Sequence, residues 1–176
     1  MANVDYAFGF ELHAGPAEVI ELEIDASNAT TIGKGDPLTI EADGGNKRSV
    51  AGDGVAVGYV AQSFKNSDGE SISYLPASTA GTITGIKCVP GQIWRVQLDS
   101  GTAGAATMVG ATCDFVAGNA DTNTGRSIYE ADSSNVGTGN QLKIVGLYKE
   151  QGNSWAEHAV VLCEFAENNA ISSASI

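Results

Sequence analysis

"VAGDGVAVGYVA", residues 50 to 61, decides between two kinds of fold. Its glycines fall as Gly52-x-Gly54-x-x-x-Gly58, one residue away from the spacing that cradles a dinucleotide pyrophosphate. That fingerprint needs a strand before it, a helix after it, and glycine at the place that Val57 occupies here. The residues after it, "VAVGYVAQ", continue as an extended segment. The stretch therefore reads as a turn at Gly52-Asp53-Gly54 and then a strand. Gly58 is expected to mark a bulge or a close backbone approach. On this reading the glycines bend a sheet, and no cofactor is expected.

The flanking sequence continues the pattern. "EVIELEIDA" (18 to 26) sets Ile20, Leu22 and Ile24 against Glu21, Glu23 and Asp25, the period of two of a half-buried strand. "DPLTIEADGGNKRSVA" reads as strand, turn at Asp43-Gly44-Gly45, and return strand, because these residues reach positive φ cheaply. Shorter strands are expected in "ESISYLPAS" and "TITGIKCV", and an alternating one in "QIWRVQL" (92 to 98). The alanine-rich stretch after it predicts one short helix near 103 to 109. "QLKIVGLYKE" and "EHAVVLCEFAE" close the chain as two strands. The second is apolar on both faces, as in a central strand covered on both sides. The expected fold is all-β: a small antiparallel β-barrel or sandwich with glycine-rich turns and at most one short helix. It divides into an N-terminal arm (1–15), a single β-domain with loop insertions (16–167) and a loose tail (168–176).

Composition narrows the function. A net charge of −12 and scattered basic residues leave no footprint for nucleic acid, and the acidity disfavours an anionic membrane surface. Cys88, Cys113 and Cys163 are odd in number and far apart, which fits neither a disulfide framework nor a zinc knuckle; they read as core thiols in a protein made in a reducing compartment. The first residues show no signal peptide, and no apolar run approaches the ~20 residues of a membrane span. "DTNTGRSIYEAD" (121 to 132) fails as a calcium loop, since Arg126 stands where that loop needs glycine. Glu21, Glu23 and Asp25 read as a solvated strand face, and His13 and His158 as structural histidines. No GxSxG elbow, HExxH or Walker loop is present, so no catalytic or metal residue is assigned.

The aromatic residues carry the binding expectation. Tyr6, Phe8 and Phe10 alternate in "DYAFGFEL". They either pack into the parent core or join a neighbouring subunit by strand addition. Trp155, in the turn before the last strand, is a candidate contact anchor.

Two stretches also resemble a known family. "GDPLTIEADGGNKRSVAGDGVAVGYVA" is similar to a "GDPL" strand, glycine turn and "GYV" strand of capsid decoration modules. "DTNTGRSIYEADSSNVGTGNQLKIVGLYKEQGNSWAEHAVVLCEFAENN" resembles the end of small structural proteins of tailed bacteriophages. The resemblance implies a non-enzymatic decoration, or cement, protein, made in the bacterial cytoplasm and bound to the major capsid protein outside the head. It implies a homo-oligomer too, a trimer rather than a dimer. A carbohydrate- or receptor-binding β module is the alternative, and a small hydrolase assembled from scattered Asp, Glu and His the third reading. On the arm assignment, deleting residues 1 to 12 is expected to leave the fold intact.

Overall fold

The computed structural model describes residues 3–41, 44–52, 57–139 and 141–166. Among these residues it is all-β, with two antiparallel sheets packed in a sandwich-like arrangement and no closed barrel. The first sheet runs β1 (Glu11–Ala14), β8 (Ile93–Gln97), β13 (Val160–Phe165), β12 (Leu142–Leu147) and β9 (Thr112–Cys113). The second runs β2 (Val19–Ile24), β7 (Gly81–Lys87), β5 (Tyr59–Asn66), β3 (Pro37–Ile40) and β4 (Asn46–Arg48), with β6 (Ser71–Ile72) on β5. A short ribbon of β10 (Phe115–Val116) and β11 (Glu130–Ala131) lies beside them. The expected helix is a single 3-10 turn at Ala106–Met108.

Residues 57 to 61 of the decisive stretch form the wall between two apolar cores. Val57 and Val60 join the larger core, around Trp94, Phe115, Tyr129, Leu142 and Phe165. Tyr59 and Ala61 point the other way, into the smaller core with Leu22, Ile24, Leu38 and Ile83. Being apolar on both sides, this half of β5 is fully buried rather than alternating. Past Ala61 the chain must keep a large side chain in the smaller core. Strict alternation would send Ser63 there and turn Phe64 out to solvent. A bulge at Gln62 inserts one residue between the Ala61–Gly85 and Ser63–Thr84 pairs, so Phe64 pairs with Ile83 and returns inward.

That bulge corrects the expectation for Gly58. A Cβ placed there would meet Ile40 at 3.4 Å, an ordinary contact, so neither bulge nor close approach is required. Gly58 instead donates to the Leu38 carbonyl and accepts from the Cys88 amide, tying β5 to its neighbours. Gly44 takes a positive φ of 89° between paired β3 and β4. Asp43, Asp53 and Gly54 of the expected turns, and the tail from 168, lie outside the described residues.

Two further expectations change. β13 is central, between β8 and β12, but only Val161, Cys163 and Phe165 are buried; Val160 and Leu162 on the other face are half-buried. Residues 1 to 15 are not all an arm. Phe10 is completely buried against Phe165 and Phe115, and Glu11–Ala14 form β1 on the edge of the first sheet. Gly9 takes a φ of 71°, with its backbone crossing close to Gly35 and Ser127. Deleting residues 1 to 12 would therefore open the core. All three cysteines are buried thiols, and burial pushes each thiol pKa up.

Asp36 is an unusual core group. Its carboxyl is fully buried, Oδ2 accepts from the Gly33 amide at 2.9 Å, and Oδ1 has no well-aligned partner. Burial raises its pKa to about 6, outweighing the nearby Ser127 hydroxyl, the Gly33 amide and Arg48, which favour the charged form. An acid whose pKa is raised on folding adds stability below its unfolded pKa, near 3.8, and loses it as pH rises through the folded value. Asp36→Asn removes this slope. In denaturant melts the variant should gain on the wild type by about 2–3 kcal/mol between pH 4 and pH 8. A difference that stays constant across that range would contradict the assignment.

Candidate functional site

The exposed face of the first sheet carries an extended N-terminal segment, residues 3 to 8, held by side chains from elsewhere. Gln97 points outward by the alternation of β8 and is nonetheless 2% exposed, because this segment lies over it. Its amide uses both ends. Oε1 accepts from the Tyr6 amide at 2.9 Å, and Nε2 donates to the carbonyls of Val4 at 2.8 Å and His158 at 3.1 Å. Asn3 fixes the start of the segment. Its Nδ2 donates to the Ser154 and Glu157 carbonyls, both at 2.9 Å, and its Oδ1 accepts from the Ser154 amide at 3.1 Å. The segment is thereby stitched to β8 and to the loop leading into β13.

Further along, Arg95 holds Phe8. Its guanidinium lies 5.5 Å from the Phe8 ring centre and 5.4 Å from that of Tyr148, and its Nε donates to Glu11 at 2.7 Å. A guanidinium stacked between two rings and forked onto a carboxylate sets the segment's direction as it enters β1.

The four aromatic candidates separate. Phe10 belongs to this chain's own core. Phe8 is half-buried on Arg95, and Trp155 is half-buried against the larger core. Tyr6 is 55% exposed, with Arg126 over its ring at 5.6 Å, and Val4 beside it is 76% exposed. Tyr6 borders two clefts. One, of about 370 Å³, is lined by Asp5, Asp121, Thr124, Arg126, Ile128 and Glu130. The other, of about 480 Å³, contains Phe8, Gln97, Glu150, Asn153, His158 and Val160.

A polar cluster lies between the clefts, and the sequence reading had missed it. Asp5, Glu130 and His158 offer three ligand-type atoms within 4.8 Å of one another. His158 Nδ1 is 3.7 Å from an Asp5 oxygen and 3.9 Å from Glu130 Oε1, too far for direct hydrogen bonds. Glu130 Oε1 and His158 Nδ1 are both shielded from solvent and have no hydrogen-bond partner. Burial, then the charge of Asp5, raises the Glu130 pKa to about 7; His158 pulls the other way. His158 also sits at a φ of 57°, rare for a residue with a side chain. The residues of this cluster are far apart in sequence, and no motif connects them. For Gln97 the one sequence signal is an uncharged amide at an outward position of a strongly alternating strand.

Compared with protein families, curated proteins and solved structures, the chain matches none.

Replacing Gln97 with Leu roughly keeps the size and removes the three hydrogen bonds that Gln97 makes, to Tyr6, Val4 and His158. Each backbone group left without a partner in a shielded place costs about 1–3 kcal/mol. The Gln97→Leu variant, which orphans three such groups, should lose at least about 1–3 kcal/mol in thermal or denaturant melts. A melt identical to the wild type would mean that Gln97 does not hold the segment.

Proposed function

We propose that this protein is a non-enzymatic capsid decoration protein. It would bind the major capsid protein on the outer surface of a phage head, as a homo-oligomer with a trimer favoured over a dimer, and stabilise the shell. One observation carries the reading: the apolar pair Val4 and Tyr6 is held rigidly outward by the Asn3 and Gln97 hydrogen bonds. Two neighbouring exposed apolar side chains on a backbone fixed by hydrogen bonds offer a contact of the kind that a partner surface covers. A preorganised contact loses little entropy on docking, and many copies on one shell multiply a weak individual affinity. The net charge of −12 disfavours non-specific aggregation, so association must come from specific, shape-matched contacts.

The cleft beside Tyr6, with Asp121, Thr124 and Arg126 in its wall, favours the second reading, a carbohydrate- or receptor-binding module. An aromatic ring beside hydrogen-bonding side chains is the usual make-up of a sugar site. Binding to a glycan array without binding to heads would favour it.

Undecorated phage heads mixed with purified protein and imaged by electron microscopy test the first reading. The wild type should occupy regular positions. The double variant Val4→Ser, Tyr6→Ala should lower occupancy several-fold. Both side chains are mostly exposed, so the melt should move by no more than about 0.5–1 kcal/mol. Absence of the wild type from heads, or undiminished occupancy by the double variant, would overturn the proposal.

A further inference from the structure

The geometry points to a divalent-cation site at Asp5, Glu130 and His158, of the kind that takes Zn²⁺ through one imidazole and two carboxylates. Three observations support it together. The three donor atoms converge within 4.8 Å, although they come from the N-terminal segment, β11 and the loop before β13. Two of them, Glu130 Oε1 and His158 Nδ1, are shielded from solvent, unpartnered and turned toward each other at 3.9 Å. Neither is likewise satisfied by Asp5, whose oxygen is 3.7 Å from the imidazole nitrogen. Buried polar atoms normally find a partner, and here one body placed between them would satisfy both.

The spacing fits a small cation better than a proton. A hydrogen bond would need these atoms within about 3.2 Å. Ligands 2.0–2.1 Å from a tetrahedral zinc lie roughly 3.4 Å apart, so the imidazole's separations of 3.7 and 3.9 Å from the two carboxylates need to close by only a few tenths of an ångström. The donor set chooses among metals. Calcium takes six to eight oxygens and magnesium a near-octahedral oxygen shell, whereas an imidazole with carboxylates suits zinc and its neighbours in the transition series. Three protein ligands leave a fourth position for water, and the ligands themselves line the two clefts, Asp5 and Glu130 the one and His158 the other.

Such an ion would tie three separate parts of the chain together next to Tyr6. Asp5 directly precedes Tyr6, so the ion would fasten the segment from the side that Gln97 leaves open. The site does not depend on a capsid partner, and it is tested without one.

Metal-free protein is titrated with zinc chloride in a calorimeter, with calcium and magnesium chloride as comparators. The expected result is one zinc per chain, with calcium and magnesium at least about tenfold weaker. Glu130→Gln should weaken zinc at least about tenfold, and so should His158→Asn, in which asparagine tolerates the positive φ. Asp5→Asn changes a mostly exposed side chain; it keeps the test decisive if either of the two half-buried variants fails to fold, and should also weaken zinc. Absence of saturable one-to-one zinc binding in the wild type, or equal zinc affinity in the folded variants, would overturn the assignment.

Discussion

The candidate functional face of this protein depends on the need of one buried amide to be satisfied. Gln97 projects from β8 toward what would otherwise be solvent, and its oxygen and nitrogen find their partners in the backbone of residues 4, 6 and 158. Unpartnered, the same side chain under an apolar cover would be a net cost. Partnered, it converts an extended segment with few apolar contacts of its own into a fixed ridge. The position of Tyr6, the exposure of Val4 and the approach of Asp5 to Glu130 and His158 all follow from that attachment.

The attachment is possible because the segment's other end is anchored in the core. Phe10 packs against Phe115 and Phe165, and its amide donates to the Gly35 carbonyl at 2.9 Å. Gly35 immediately precedes Asp36 and the strand that leads toward β5, so the segment is joined to both sheets. β5 in turn holds the two cores apart: Val60 faces one, Tyr59 and Ala61 the other, and the Gln62 bulge keeps Phe64 in place. Burial on both faces of a strand gives the sandwich its rigid centre, and the surface features are built outward from it.

Much of the fold was legible because period-two alternation survives in isolated stretches. Residues 18 to 26 contain β2, with Leu22 and Ile24 buried and Glu21 and Glu23 exposed, and residues 92 to 98 contain β8. The bulge was not legible, because Gln62 is a residue that any strand accepts, and its need arises only from the partner register with β7. Phe10 was ambiguous for a similar reason. Alternation placed it with Tyr6 and Phe8, whereas the positive φ at Gly9 breaks the alternation and turns Phe10 inward alone. The cluster of Asp5, Glu130 and His158 had no signature in the chain, since three separate segments supply it. In the sequence Glu130 falls in a stretch that reads as a polar surface turn, His158 reads as a structural histidine, and Asp5 carries no signal.

The central claim is that residues 3 to 8 are part of the folded body. Native-state amide exchange followed by NMR measures this directly at two positions, Tyr6 and Phe10. Both amides are hydrogen-bonded, to Gln97 and to Gly35, so both should exchange far more slowly than an unstructured chain. Phe10 should approach the protection of β8 and β13. Exchange of the Tyr6 amide at the rate of a free peptide, with Phe10 protected, would contradict the account and return the segment to a loose arm.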